Sequence, residues 1–277
     1  MAMLPNPLPR LADDPTGATL GLDLPPGTLI DATEDGPRPE TVLWHANGPA
    51  APGAWSELLA ARSVGLLPVL VESDKQLGGK FSDWDLEPGM MSYPGDHDPE
   101  EVLAGFWTCY TGDEDVEDEN TGELLAPYGQ EWPGLAEEPE TFDAEPDDRA
   151  AEITASMVET GWLDDPRIAL VHARRSADIP AAIGWTGPLN HENDVARLCA
   201  VLRSWEDRYG IRVIALSVDR LTVSVAAPPA TLEEAEALAA EHFAFCPDNI
   251  TQGNQESLRE YARKAVLGMH AWNFWWD

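Results

Sequence analysis

The stretch IRVIALSVDRLTVSVAA, residues 211–227, decides how the last third of this chain is read. Its two runs are rich in Val, Ile, Leu and Thr, the side chains that suit a pleated, half-buried surface. Asp219 stands between them, where a tight turn favours a short polar residue. The pattern therefore predicts two antiparallel strands joined as a hairpin.

Reading outward from the hairpin, DVARLCAVLRSWEDRYG (194–210) places Val195, Leu198, Cys199, Leu202 and Trp205 on one helical stripe. RIALVHA (167–173) before it reads as a strand. On the other side, PPATLEEAEALAAEHFAF (228–245) is a helix opened by a capping box, with Thr231 and Glu234 as its two members. ESLREYARKAVLG (256–268) is a further helix, with Asn254 as a cap. In the closing WNFWWD, read as a strand, Trp272, Phe274 and Trp276 share one face, with Asn273, Trp275 and Asp277 on the other. The order β-α-β-β-α-β plus a helix is that of a ferredoxin-like split βαβ domain over residues 166–277, and the fold class is α+β.

The rest of the chain divides by composition. Residues 1–40 are rich in Pro and Gly and read as an irregular arm with a mobile start. Residues 41–73 hold TVLWHA, GAWSELLAARSVG and LLPVLVES, a strand, a helix carrying Trp55, Leu58, Leu59 and Arg62 at helical spacing, and a second strand. This small α/β module is expected to pair its two strands in parallel through a right-handed crossover. Residues 74–165 form an acidic insertion in which Trp84, Trp107 and Trp132 are expected to anchor on the neighbouring domain. Two capped helices are expected there, at 98–110 with Asp98 as cap and Pro99 in the first turn, and at 147–162 ending at Gly161.

The charge of −33 is not uniform. Residues 1–71 carry 3 basic and 8 acidic side chains, residues 72–165 carry 3 and 28, and residues 166–277 carry 11 and 14. Acidity confined to one segment argues against general salt adaptation and against direct nucleic-acid binding, and it points to a basic protein partner engaged through residues 72–165. Three separated cysteines, Cys109, Cys199 and Cys246, make neither a disulfide framework nor a CxxC pair. No apolar run suits a signal peptide or a membrane span, so a cytoplasmic protein with no membrane contact is expected.

Five motifs, IGWTGPLN (183–190), LRSWEDRYG (202–210), VSVAAPP (223–229), LAAEHFAFCPDNITQG (238–253) and WNFWWD (272–277), resemble in order and spacing the bacterial domain of unknown function 4253 family. The resemblance covers roughly residues 166–277. WHANGPAAPGAWSELLAA followed by GLLPVLVE is similar to the N-terminal part of actinobacterial members. The resemblance implies a fold unit and no assigned activity.

Within EHFAFCPDNITQG (241–253), His242 and Cys246 stand four apart on a helix, a spacing open to a metal pair, a thiolate–imidazole pair or simple packing. A zinc site would need two more ligands, for which only His270, Asp248 and Asp277 are near in sequence. The helix C-terminus disfavours a thiolate, so packing is the favoured reading and no metal or cofactor is expected. Asp248 and Asn249 suit a chain turn. As a ligand site, the residues to inspect are Trp185, His242, Trp275 and Asp277.

LGGK (77–80) lacks the remainder of a P-loop, and DEDVEDENTGE (113–123) resembles a calcium loop only in acid density. Three readings of function stand. The favoured one is a protein-binding, immunity-like interaction factor using the acidic segment. The alternatives are a small-ligand binder or enzyme with its site near His242 and Trp275, and a nucleic-acid mimic.

Overall fold

In the computed structural model, which describes residues 5–33, 36–38, 40–72, 84–112, 119–139 and 141–277, the hairpin read from 211–227 belongs to a seven-stranded sheet. Its members are β1 (Gly27–Ile30), β4 (Leu43–Ala46), β5 (Leu66–Glu72), β6 (Pro166–His172), β7 (Arg212–Leu216), β8 (Arg220–Ser224) and β9 (Ala271–Trp275). Two-residue strands β2 (Ala32–Thr33) and β3 (Gly36–Pro37) pair separately. The sheet order is β1-β4-β6-β5-β7-β8-β9, antiparallel throughout except between β5 and β7.

Two expectations about strand neighbours are corrected. The strands of residues 41–73, β4 and β5, do run in the same direction, but β6 lies between them and is antiparallel to both. The C-terminal elements follow the expected sequence order, yet their neighbours are not ferredoxin-like. β5 separates β6 from β7, and β7-β8-β9 is a simple meander. The physical reason is that β5 and β6 are buried on both faces, LLPVLVE and PRIALVH being almost continuously apolar. Such strands satisfy their backbone groups best at the centre of a sheet, whichever part of the chain supplies them.

Alternation along the strands builds two cores. Leu67, Val69, Val171, Val223, Trp272 and Phe274 face one layer, and Trp44, Leu66, Leu70, Ile168 and Ile214 face the other. The first layer is covered by α2 (Pro99–Thr111), α5 (Ile179–Ile183), α6 (Val195–Tyr209), α7 (Leu232–Phe245) and α9 (Leu258–Tyr261). Between them lie the short α3 (Glu119–Leu124) and α8 (Asp248–Thr251). The second layer holds α1 (Ala54–Glu57), the 3-10 turns that extend it, and α4 (Pro146–Thr160). Part of the N-terminal arm is there too. Leu8, Leu11, Leu20 and Leu24 are buried in this core, and β1 is the sheet edge, so the arm from Leu8 onward is packed chain.

Local signals are realised closely. Asp98 accepts hydrogen bonds from the Glu100 and Glu101 amides, Asp194 caps α6, and the Thr231–Glu234 capping box opens α7. α4 starts earlier than read, with Pro146 in its first turn, which frees Asp147 to pair with Arg62 and Arg212. Ser257, not Asn254, caps α9. Trp84 and Trp107 are buried in the first core and Trp132 packs against it, so the aromatic residues of the acidic segment do anchor it. Glu241 reinforces that docking from within α7. Fully buried, it accepts from the Ala136 amide, the Trp205 indole and the Arg208 guanidinium. Among the described residues no helix is long and apolar enough to cross a membrane. The LGGK stretch and residues 113–118 of the acid-dense loop lie outside the described residues.

Candidate functional site

Of the residues picked from sequence, His242 and Trp185 are buried, whereas Trp275 is only partly covered and Asp277 is exposed. His242 is fully buried, ringed by Trp205, Trp272 and Phe274 with ring centroids 4.7–5.0 Å away. Its Nδ1 lies 3.1 Å from the Tyr261 hydroxyl. The Tyr261 oxygen also accepts from Asn249 Nδ2. His242 Nε2 has no hydrogen-bond partner among the described residues. Burial, and secondarily the Arg208 charge, lower the His242 pKa to about 3, so the ring is neutral at pH 7. Trp185 is buried with its indole donating to the Ser217 carbonyl at 2.7 Å. Trp275 is partly covered, and its indole donates to Asp219 Oδ2 at 3.0 Å.

CPDN, residues 246–249, has a specific structural task. β9 is the last strand of the sheet, so the backbone groups on its outer side have no strand partner. Asn249 supplies them: its Oδ1 accepts from the Trp275 amide at 3.1 Å and its Nδ2 donates to the Asn273 carbonyl at 2.7 Å. The Cys246 thiol donates to the Trp275 carbonyl, and Asp248 Oδ2 accepts from the Asp277 amide at 3.2 Å. The side chains thus imitate a neighbouring strand. Burial pushes the Cys246 thiol well above its ordinary pKa, which opposes both a nucleophile and a metal thiolate. His270 bonds the Val225 carbonyl at the far end of β9 from Asp277. Among the described residues no three His, Cys, Asp or Glu side chains are grouped to hold a metal.

A cavity of about 290 Å3 opens at the opposite end of the sheet, beside the start of β4 and the end of β6. Thr41, Ser92, Tyr93, His172 and Arg174 line it together with two carboxylates, Glu40 and the Arg203-paired Asp178, and with Met91, Pro94 and Ala182 as apolar wall. Its front is the loop at 84–97, and three contacts fix that loop. First, Leu86 bridges Trp185, and the Glu87 amide donates to the Gly184 carbonyl at 2.7 Å. Gly184 has φ +68, and a Cβ there would stand 2.0 Å from the Pro88 nitrogen, so only glycine permits this approach. Second, Asp194 Oδ1 accepts from the Ser92 amide at 3.0 Å while capping α6. Third, Arg203, paired with Asp178, lies over the Tyr93 ring at 5.0 Å. Hydrogen bonding with Arg203, together with the Arg203 and Arg174 charges, draws the Tyr93 hydroxyl below its ordinary pKa.

The two arginines after β6 behave differently. Arg175 is held by Glu206 and Asp207. Arg174 has no carboxylate partner among the described residues, and its Nη1 donates to the Tyr93 hydroxyl at 2.9 Å. Nearby, Ser92, His97 and Asp194 meet, yet not as a proton relay. The same nitrogen, His97 Nε2, is 2.6 Å from Ser92 Oγ and 3.9 Å from Asp194 Oδ2. A relay needs the acid on the other ring nitrogen. The arrangement suits ligand binding better than nucleophilic attack.

Sequence reasoning missed this cavity because its walls come from 6, 40–42, 88–94 and 172–182, which share no motif. The available signal was the Arg174–Arg175 pair directly after an apolar strand, in a chain with only 17 basic residues. Residues 167–277 match the family model of a domain of unknown function, DUF4253. Neither a curated protein nor a solved structure matches the chain. The matched segment begins within β6 and contains Arg174, Asp178, Asp194 and Arg203, whereas Ser92 and Tyr93 come from outside it.

Proposed function

We propose that the protein binds a small anionic molecule, one bearing a carboxylate or phosphate group, in the cavity at the end of β6. The observation that carries this reading is Arg174. In a chain of net charge −33 it lines a cavity and answers no carboxylate among the described residues. With only Nη1 engaged by Tyr93, its remaining guanidinium donors suit a planar or tetrahedral anion. Ser92 and Thr41 add neutral hydrogen-bonding groups, and the Pro, Met and Ala wall suits a short apolar portion. The size of the cavity sits near the lower end for ligand pockets, so the molecule is small.

The test is thermal unfolding with inorganic phosphate, acetate and succinate. At least one should raise Tm for the native chain, with the shift lost in Arg174→Ala and partly kept in Arg174→Lys. An equal shift in Arg174→Ala, or none with any probe, would defeat the proposal.

A second reading, capture of a basic protein through residues 72–165, is supported by Glu100, Glu101, Glu131, Glu137 and Glu138. All are exposed, and among the described residues Arg208, already paired with Glu241, is the one cation that acts on any of them, through Glu138. A pull-down should lose any basic partner when these five glutamates become glutamines. Retention would remove this reading.

A further inference from the structure

A second groove, of about 210 Å3, lies on the other face of the sheet, between α4 and the β8–β9 edge. It stands independently of the anion site. Of eleven tryptophans, ten are buried or partly covered; Trp162 is 50% exposed and lines this groove. Its placement is fixed by the end of α4. Gly161 takes a left-handed conformation with φ 66, and the Trp162 amide returns to the Met157 carbonyl at 3.0 Å. The indole is therefore presented by a rigid helix terminus, although solvation of so large an apolar ring is unfavourable.

The groups around the ring are uncharged, with Ser156, Thr160, Thr222 and Asn273 polar and Ile153, Met157 and Ala271 apolar. Thr222 donates to Asn273 Oδ1 at 2.9 Å, which orients the amide and leaves Asn273 Nδ2, at an exposed position, without an acceptor among the described residues. The Ser156 hydroxyl and the Trp162 indole N–H also have no hydrogen-bond partner within the described residues. No Arg, Lys, Asp or Glu lines the groove, so neither an anion nor a cation finds a countercharge. A ligand that matches is neutral, has an apolar face to lie on the indole, and carries hydroxyls around its rim. That is the chemistry of a sugar ring, whose C–H face stacks on an aromatic while its hydroxyls exchange hydrogen bonds with amide and hydroxyl groups.

We propose that the groove beside Trp162 binds a neutral carbohydrate, one ring at a time. The test is saturation-transfer NMR on the full chain with D-glucose, D-galactose, D-mannose and N-acetyl-D-glucosamine. At least one sugar should receive saturation, strongest at its ring C–H protons. Trp162→Ala should abolish the transfer, Trp162→Phe should keep part of it, and Asn273→Ala should weaken it severalfold. Arg174→Ala should leave it unchanged, which separates this site from the anion cavity. No transfer to any of the four sugars would overturn the proposal, as would full transfer in Trp162→Ala. If Trp162→Ala failed to fold, unchanged transfer in both Trp162→Phe and Asn273→Ala would overturn it equally.

Discussion

The corner around His242 and Asn249 and the cavity around Arg174 lie at opposite ends of the sheet, and they use polar groups in opposite ways. At the corner the polar side chains of CPDN and Tyr261 are spent on the chain itself, Asn249 on the edge of β9, Cys246 on the Trp275 carbonyl, Tyr261 between His242 and Asn249, while His242 Nε2 and the Trp272 and Trp276 indole nitrogens are sealed in without a partner among the described residues. At the cavity the scaffold is equally well tied, through Asp194 and Asp178, but Arg174 is left facing open space. A dense cluster of chemically capable residues is thus no guide to function when it is buried and most of its side-chain bonds serve the fold. A single cation with no acidic partner, in a strongly acidic chain, is more informative.

Substitutions should separate the two ends, and the largest effect is expected at Glu241. Replacing it by Ala leaves the Arg208 charge, the Trp205 indole and the Ala136 amide without their acceptor. The expected loss is about 3–5 kcal/mol in urea unfolding, the usual result of breaking a buried ion pair from one side. A loss below ~1 kcal/mol would mean that the acidic segment is not held by this residue. Asn249→Ala comes next, at about 2–4 kcal/mol, because several bonds to the β9 edge go at once. Its exposed strand edge should also promote concentration-dependent association, visible by light scattering. A monodisperse, fully stable variant would show that Asn249 is not the cover of that edge.

His242 allows a pH test of the corner. Its folded pKa of about 3 lies below the ordinary 6.5, so between those values the unfolded chain takes up a proton that the native chain refuses. Stability should therefore fall as pH drops below 6.5, by up to about 1.4 kcal/mol per pH unit from this group, and the loss should level off below about pH 3. His45 and His191, also lowered by burial, add to the wild-type slope with the same sign. The measurement is thus the difference from His242→Phe, which should shrink as pH falls. A constant difference would place a charged His242 in the native state. The smallest effect on stability is expected at the other end. Arg174→Ala should change it by less than about 0.5 kcal/mol while removing the anion-induced Tm shift. A large destabilisation there would make Arg174 a structural residue and erase the contrast.

Much of the local structure was legible. The alternation in residues 271–276 correctly buries Trp272, Phe274 and Trp276, and Thr231 and Asp98 cap the helices that their positions announced. Helical spacing put His242 and Cys246 on one helix, whereas α7 ends at Phe245 with Cys246 as its non-helical C-cap, and spacing carried no information on what each would meet across the core. Tyr261 comes from nineteen residues away, and the Trp275 carbonyl from twenty-nine. The cavity was illegible for the same reason on a larger scale, since Ser92 and Arg174 belong to segments with no shared pattern.

The sequence alone determined what depends on neighbours within four residues: caps, the hairpin at Asp219, the strand and helix periods, and the uneven charge. These follow from backbone hydrogen-bond geometry and side-chain direction, which are local. Only the tertiary structure decided that β5 enters between β6 and β7, that CPDN covers the edge of β9, and that Arg174 faces a cavity. Apolar strands specify burial without naming a partner. Which strand fills the centre of the sheet is settled when the whole chain satisfies its backbone groups at once.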